Sequence, residues 1–392
     1  MSHTFNLIDL QNTIVQDSNY CFLKKEMEGS LKHKIALSLI PGIGDILAKR
    51  IVAYCGGVTE VFEEKKAALE KIPGIGSFHS KAIRNHSIFD RAEEEIKFIE
   101  KNKITPLFYL DPEYPKRLTH CEDSPVMLYF KGKADFNSEK VISIVGTREA
   151  TEYGKKLCEQ LVADLAIYKP VIVSGLAYGI DICAHRAALE NDLSTVCGLA
   201  HGLDKIYPGS HSSTATKMLD NGGWLTDFTS KTKPDRENFP RRNRIVAGIA
   251  DATIVVESKV GGGSLITADI ANSYNRDVFA FPGRIDDVCS VGCNNLIKQN
   301  KAALIQSAAD LVYILGWEQT KIKNAPPQKK LFVEFSNDEE LLVNVLKEKD
   351  SVNIDDLCLV SRLPMSKVSG LLLTLEFSGV VKSLPGKMYR LN

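Results

Sequence analysis

Short apolar runs, several of which end in a glycine-bearing turn, constrain the fold of this 392-residue chain more than any other feature. Between residues 105 and 317 these runs alternate with amphipathic, helix-like stretches. The runs are Val141 to Val145, Val171 to Val173, Thr195 to Leu199, Trp224 to Leu225, Thr253 to Val256 and Val278 to Phe281. Strands that alternate with helices pair in parallel. The pattern therefore predicts an α/β fold with a doubly wound, mostly parallel sheet.

Three of the turns have the composition of phosphate-binding loops. The sharpest is Ser174 to Asp181, and the same arrangement recurs at Gly146-Thr147-Arg148 and at Gly261-Gly262-Gly263-Ser264. A turn of this kind presents backbone N–H groups at the start of a helix, where phosphate binds. Because all three follow strands of one sheet, we expect a single shared site. The GxGxxG fingerprint with its later acidic residue is absent, which disfavours a nicotinamide enzyme.

Charge and cysteine content narrow the class of protein. Lys and Arg total 49 and Asp and Glu total 49, so any nucleic-acid surface must be local. Nine scattered cysteines without a signal peptide indicate a reduced, cytoplasmic protein, and the close pair Cys289 and Cys293 lacks the partners of a zinc site. No apolar run approaches the roughly 20 residues of a membrane span. We expect no metal, no cofactor and no membrane association.

An internal repeat occupies the N-terminal region, predicted as a helical domain over residues 1–100. Ile40-Pro41-Gly42-Ile43-Gly44 recurs 32 residues later as Ile72-Pro73-Gly74-Ile75-Gly76. Each copy is typical of two helices joined by a tight glycine turn. This resembles the helix-hairpin-helix family, whose hairpins contact the DNA backbone without reading sequence. A purely structural packing module is an equally good interpretation.

A basic segment lies between residues 231 and 244. It carries six cations against two anions and one aromatic residue, Phe239. Cations bind phosphates, and an aromatic ring can stack on a base. A solvated loop that leads into a helix near Arg242 is the alternative interpretation.

The C-terminal region is predicted as a linker over residues 319–337 followed by a winged helix-turn-helix over residues 338–392. Three helical segments precede a hairpin around Pro385-Gly386. The third helix of such a fold ordinarily enters a major groove. Because this one exposes few cations, weak duplex binding and protein contact both stay open.

Across residues 105–317 the ordered motifs resemble the DNA-processing protein DprA (Smf) family. The motifs are Gly146-Thr147-Arg148, Tyr153-Gly154, Ser174 to Asp181, Ala184-His185, Tyr207-Pro208, Phe239-Pro240-Arg241-Arg242-Asn243-Arg244, Ser264 to Ala268, Phe281-Pro282-Gly283 and Gly292 to Ile297. The resemblance implies a Rossmann-like domain that binds single-stranded DNA without sequence preference, forms a homodimer, and protects incoming DNA. It also implies loading of the RecA recombinase during natural transformation, without catalysis.

The resemblance and the residue types together suggest a DNA-binding set. Arg148 is expected to clamp a phosphate, Phe239 to stack on a base, and the turns and the basic segment to follow the strand. The full set is Gly146, Thr147, Arg148, Ser174, Gly175, Gly179, Lys231, Lys233, Phe239, Arg241, Arg242, Asn243, Arg244, Gly262, Gly263 and Ser264. The family often has Ser-Gly-Ser where this chain has Gly262-Gly263-Ser264, which keeps the backbone donors and loses one hydroxyl. His185 is interpreted as a structural histidine and Asp181 as a helix cap.

Two other functions remain to be distinguished. The glycine turn at 261–264 also resembles that of nucleoside-monophosphate phosphoribohydrolases, but the proline and glutamate of their motif are missing here. A transcription regulator is the third hypothesis, and it depends on the winged helix alone.

Overall fold

The protein is described by a computed structural model that covers residues 31–85, 87–317 and 335–392. It divides into two compact units. Of the described residues, the first unit contains those up to Gly132 together with Leu199–Lys205 and Trp224–Arg236. The second contains Lys133–Gly198, Ile206–Gly223 and the described residues from Glu237 onward. The role of the first 25 residues and nearly all of the predicted linker fall outside the described residues. The predicted domain boundaries near residues 100–105 and 338 stay predictions.

The first unit begins with helices that carry the repeat. They are α1 (31–38), α2 (Asp45–Cys55), α3 (Val58–Glu63), α4 (Lys66–Leu69), α5 (Ser77–Ile83), α6 (Ser87–Asn102) and α7 (Lys116–Thr119). Each repeat copy is a turn between two helices, and Gly42 and Gly74 have φ values of +78° and +91°. Residues other than glycine rarely adopt this backbone conformation. The predicted glycine turns are therefore confirmed.

Two of the repeat's basic side chains make internal contacts. Lys49 Nζ donates to Ser124 Oγ at 2.7 Å, and Arg50 Nη1 donates to the Pro73 carbonyl at 3.2 Å. Lys81 and Arg84 are exposed. The contacts of Lys49 and Arg50 support the interpretation of the repeat as a packing module. A role of the repeat in DNA binding depends on Lys81 and Arg84.

The strands that the structure describes outside the C-terminal region form a nine-stranded sheet in the order β1-β2-β6-β5-β4-β3-β7-β8-β9. They are β1 (Thr105–Phe108), β2 (Met127–Gly132), β3 (Val141–Val145), β4 (Val171–Ser174), β5 (Thr195–Gly198), β6 (Gly222–Thr226), β7 (Ala252–Val255), β8 (Asp277–Ala280) and β9 (Ala303–Leu304). The β1–β2 pair is antiparallel, whereas β5, β4, β3, β7, β8 and β9 pair in parallel. All six predicted strands are present, which confirms the α/β, doubly wound class.

Helices of the second unit connect and cover the parallel strands. They are α8 (Glu152–Leu165), α9 (Ile180–Glu190), α10 (Ser212–Met218), α11 (Asn238–Gly248), α12 (Gly263–Ser273), α13 (Val291–Lys298) and α14 (Ala308–Ile314). Every residue of β3 is buried, and α8 and α9 contribute Leu161, Val162 and Ala184 to the core beside it. A strand covered on both faces is apolar throughout rather than alternating. This is why the strand sequences are continuous apolar runs.

The strand order reverses between β3 and β7. From β3 the chain proceeds outward through β4 and β5, and it later returns to β7 on the other side and continues to β8 and β9. In open α/β sheets ligands bind at the carboxyl ends of the strands at such a switch point. The turns after β3, β4 and β7 are the three that the sequence singles out.

The C-terminal region is a winged helix. It consists of α15 (Asn337–Lys347), α16 (Ile354–Ser361) and α17 (Met365–Phe377), with a small sheet of β10 (Val352–Asn353), β12 (Met388–Leu391) and β11 (Val381–Leu384). The three helices and the hairpin match the predicted segments, whereas the two-residue β10 was not predicted. Lys367 of α17 forms an ion pair with Asp338 at 2.6 Å, so a basic residue of this helix already has an acidic partner.

Candidate nucleic-acid interface

The turns after β3, β4 and β7 are hydrogen-bonded to one another. The backbone N–H of Thr147 donates to the Glu257 carbonyl at 2.8 Å, and the N–H of Ile180 donates to the Thr147 carbonyl at 3.2 Å. The turn after β3 therefore lies between the other two and is fixed from both sides. The three turns that the sequence predicts to share a site are therefore neighbours in the structure.

Two glycines allow these turns to approach so closely. A Cβ at Gly146 would overlap the side chain of Ile180, and a Cβ at Gly179 would overlap the Thr147 carbonyl and meet the backbone of Arg148. Gly179 also has a φ of +78°. Both the space and the backbone conformation thus require glycine, and together they set the position of Arg148.

The exposed Arg148 carries an aromatic partner. Its guanidinium carbon lies 5.4 Å from the centroid of the Phe239 ring, within the range of a cation–π interaction. Phe239 lies in the first turn of α11, and the centroid of the Tyr207 ring is 6.4 Å from that of Phe239. A guanidinium that can bind a phosphate and rings that can stack on bases are therefore neighbours at the surface.

Several residues of the predicted set point into the protein instead. Ser174 is fully buried and its hydroxyl donates to the Ile144 carbonyl at 2.6 Å, while the Ser264 hydroxyl donates to Ser258 Oγ at 2.9 Å. Arg244 is also buried, and its Nε donates to the Arg241 carbonyl at 3.1 Å. The expectation that the hydroxyls of Ser174 and Ser264 and the cation of Arg244 meet DNA is not supported by this geometry. These side chains fix the loops and α11.

The side chain of Arg242 packs against the turn after β4 from inside the protein. Its side chain is buried and donates from Nη1 to the Gly198 carbonyl, and a Cβ at Gly175 would come within 2.5 Å of that nitrogen. Asp181 lies beside it and accepts from the Ala177 N–H at 3.3 Å. Burial raises the pKa of Asp181, and the nearby Arg242 partly offsets this effect. Arg242 is therefore a positioning residue for the turn rather than a direct DNA contact.

His185 has the structural role that the sequence predicts, whereas Asp181 does not cap α9. His185 is fully buried, with Nε2 2.6 Å from the Gly175 carbonyl and Nδ1 2.7 Å from Thr195 Oγ1. A carbonyl only accepts, so Nε2 carries the proton that is shared with Gly175. Burial lowers the pKa of His185 to about 4, which keeps the ring neutral. Asp181 lies in the first turn of α9, and the cap position is occupied by Gly179.

The N-terminus of α8 is occupied by a carboxylate of the protein itself. Glu257 is buried and accepts from the Thr151 N–H at 2.9 Å and from Thr151 Oγ1 at 2.5 Å. A Cβ at Gly154 would overlap this carboxyl group. Thr151 Oγ1 in turn accepts from the Gly154 N–H at 3.0 Å. The negative charge of Glu257 at the positive end of α8 therefore disfavours a phosphate there.

The N-terminus of α12 is the more open one. Gly263 is exposed, and a Cβ added there would meet no atom within 4 Å. The preceding Gly262 is the N-cap, with an extended backbone. Gly262 and Gly263 therefore keep the backbone geometry that the sequence analysis assigns to phosphate binding.

Part of the basic segment belongs to the first compact unit. Lys231 and Lys233 are both exposed, and Lys231 Nζ forms an ion pair with Glu94 at 2.7 Å. Within the second unit Arg241 is exposed and Asn243 is partly buried. Lys231 and Arg241 are ten residues apart in sequence but belong to different units. Lys231 also has an acidic partner that competes with phosphate.

Two exposed aromatic residues near the three turns are absent from the DNA-binding set predicted from the sequence. Tyr178 and Tyr207 retain 52% and 50% of their side-chain exposure. Tyr178 lies inside the glycine turn after β4, and Tyr207 contacts Phe239. The sequence did carry a signal for their exposure. One tyrosine lies within a glycine turn and the other precedes a proline, so neither belongs to a buried apolar strand.

The described residues also bear on metal binding, on the state of the cysteines and on membrane spans. Among those residues no group of three or more His, Cys, Asp or Glu side chains is placed to hold a metal ion, and all eight cysteines are free thiols. No single helix described by the structure has both the length and the apolar composition of a membrane span; one pair, α16 with α17, satisfies the criteria jointly but is bent by 111°.

Comparison with known proteins identifies the family. The family described as DNA recombination-mediator protein A matches residues 105–316, and the DprA winged helix domain matches residues 324–387. The Smf protein of Synechocystis is 31% identical over an alignment that covers 91% of this chain and 97% of that protein. The DNA processing protein DprA of Streptococcus pneumoniae is 38% identical over 54% of this chain and 75% of its own length.

Solved structures agree with this assignment. The crystal structure of DprA from Streptococcus pneumoniae has a TM-score of 0.61 at 32% identity, over 72% of this chain and 97% of that one. DprA from Helicobacter pylori, whose structure gives insights into its single-stranded DNA binding mode, has a TM-score of 0.50 at 28% identity over 55% of this chain and 96% of that one. With the α/β sheet, the winged helix and the interface in place, this chain belongs to the DprA (Smf) family of DNA-processing proteins.

Proposed function

We propose that this protein binds single-stranded DNA without sequence preference and thereby protects DNA that enters the cell during natural transformation. The observation that carries the proposal is the exposed Arg148 guanidinium over the Phe239 ring at the switch point of the sheet. The guanidinium suits the phosphate, and the ring suits the face of any base. Neither group reads the edge of a base, so the contact favours no particular sequence.

The Helicobacter pylori relative supports this proposal, because its structure concerns single-stranded DNA binding. The geometry also supports a preference for single strands on physical grounds. A base can stack on Phe239 only if it is not stacked and paired within a duplex. A duplex would offer its phosphates to Arg148 and lose the aromatic contact.

Fluorescence anisotropy tests this function directly. The full-length protein is titrated with single-stranded oligonucleotides of unrelated sequence and with matched duplexes, at several salt concentrations. We expect similar affinities for all single strands, weaker binding to every duplex, and a linear fall of log affinity with log salt concentration. A preference for duplexes, or for one sequence over its scrambled version, would contradict the proposal.

We further propose that the protein acts as a homodimer and loads RecA on the bound strand. Membership of the recombination-mediator family supports this role. A mediator must hold the strand and still leave it available to the recombinase, and contacts confined to one edge of a sheet satisfy that condition. The test is RecA's strand-dependent ATP hydrolysis on DNA coated with single-strand binding protein. The protein should shorten the lag, and an unchanged lag at saturating protein would contradict RecA loading.

No chemical step is part of the proposed function. At the interface His185 is neutral and enclosed, and Glu257 is hydrogen-bonded to Thr151. A general base must reach the proton it removes, and both groups are held inside. The alternative, hydrolysis of nucleoside monophosphates, would show as steady release of free base from the purified protein. We expect release no faster than with an Arg148→Ala variant, and a clear excess would favour the enzyme.

A further inference from the structure

Tyr178 is an exposed aromatic ring that is held in one orientation. It lies in the turn between β4 and α9, and 52% of its surface is accessible. Its hydroxyl oxygen accepts from Ser210 Oγ at 3.1 Å. Its ring contacts the ring of His211, with centroids 4.7 Å apart and an interplanar angle of 69°. Two neighbours on a different segment therefore fix the side chain while half of it stays in solvent.

The support beneath Tyr178 is itself anchored. His211 is buried, and its Nδ1 lies 2.9 Å from the Leu176 carbonyl, in the same turn that carries Tyr178. The segment 209–211 is a short 3₁₀ turn, so its residues have few conformations available. A ring that is already ordered loses little side-chain entropy when a ligand stacks on it.

Tyr178 lies next to the Arg148 contact. The adjacent Gly179 packs against the backbone of Thr147 and Arg148, and Ser210 is three residues from Tyr207, whose ring neighbours Phe239. Three residues of chain span at most about 10 Å. That length is comparable with two or three nucleotides at about 3.4 Å each in a stacked strand.

We propose that Tyr178 is a second base-stacking platform, which holds a nucleotide a few positions along the strand from the one that contacts Arg148 and Phe239. This inference rests on the proposed single-strand binding and assigns one more contact to it. Tyr178 is expected to contribute through its ring and not through charge, because it stacks on a base and makes no contact with phosphate.

The test compares Tyr178→Ala with Tyr178→Phe, and uses Tyr313→Ala as the control because Tyr313 is also exposed, on α14. Binding is measured by anisotropy to a mixed-sequence single strand and to a strand of equal length whose nucleotides are abasic. On the normal strand we expect Tyr178→Ala to bind at least about fivefold more weakly, with an unchanged salt slope. Tyr178→Phe and Tyr313→Ala should stay within about twofold of the wild type on the same strand.

On the abasic strand Tyr178→Ala and the wild type should bind equally. An equal loss on both strands, a smaller salt slope, or no loss on the normal strand would overturn the inference. If the wild type binds no single strand, the proposed function itself fails; if it binds and Tyr178→Ala is unaffected, only the assignment of Tyr178 fails.

A fluorescent variant provides a second test in case Tyr178→Ala does not fold. Tyr178→Trp keeps a large ring whose fluorescence falls when a base stacks on it. We expect quenching by the normal strand and none by the abasic strand, with wild-type protein as the background for Trp224 and Trp317. Equal responses to the two strands would also contradict stacking at this position.

Discussion

At the residue scale, neighbouring side chains of one surface divide between contact and support. Arg148 is exposed and pairs with an aromatic ring, whereas Arg242 is buried beneath a turn. Both are arginines in motifs that the family shares. Burial and hydrogen-bond partners, rather than residue type, separate the two roles.

Arg148→Ala should weaken binding to every single strand and reduce the log–log salt slope by about 0.7, because one phosphate contact is lost. Arg148→Lys should keep most of the slope while losing the bidentate geometry. Anisotropy at four salt concentrations measures both. Arg186→Ala, which removes another exposed arginine from α9, serves as the control. An unchanged slope in a folded Arg148→Ala protein would remove Arg148 from the interface.

His185 should make stability depend on pH. Its pKa is about 4 in the folded protein and 6.5 without burial, so protonation favours unfolding. The contribution is complete above pH 6.5 and is lost as the pH falls toward 4, by about 3 kcal/mol in the free energy of unfolding. Urea unfolding at pH 7, 5 and 4 measures it. His185→Gln should lose less stability over that range than the wild type, and parallel losses would contradict this account.

At the element scale, the N-termini of the helices around the site differ in what fills them. Glu257 occupies that of α8, while Gly263 leaves that of α12 open. Similar glycine turns in the sequence thus give different sites, because a carboxylate from a neighbouring strand end reaches one helix and not the other.

Gly154→Ala should lower the free energy of unfolding by about 1–3 kcal/mol, because the new Cβ overlaps the Glu257 carboxyl group. Gly209→Ala is the matched control, since a Cβ there meets nothing within 4 Å. Denaturant titration of the two variants gives the comparison. Helix propensity alone would make Gly154→Ala stabilising by up to about 1 kcal/mol, and that result would show that Glu257 can move away.

At the scale of the whole molecule, the proposed contacts concentrate in the α/β region. In the winged helix, α17 carries one basic residue, Lys367, which is paired with Asp338, and it exposes the apolar Leu373 and Phe377. This surface suits protein contact better than a groove lined by phosphates.

A chain that ends at residue 317 should therefore bind single strands within about fivefold of the full-length protein, or about 1 kcal/mol. The N-terminal region is kept in this variant because Ser230 of the first unit donates to Glu95 of α6 at 2.6 Å. Anisotropy under identical salt conditions makes the measurement. If the shortened protein stays folded yet binds a hundredfold more weakly, the winged helix is a principal DNA contact.

The sequence by itself determined the strands, the glycine turns and the winged helix, because each depends on local properties. β3 and β4 are apolar runs of strand length, and Gly42 and Gly74 mark turns through a backbone conformation that other residues avoid. The proximity of the three glycine turns also followed, since parallel strands end at one edge.

Only the tertiary structure decided which side chains around the three turns are buried and which are exposed. Ser174 and Arg242 turn inward, Glu257 fills the N-terminus of α8, and Tyr178 and Tyr207 reach the surface. The physical reason is that burial and hydrogen bonding are set by partners distant in sequence, such as Gly198 for Arg242 and Ser210 for Tyr178. A local pattern can specify the turn, but not which neighbours that turn will meet.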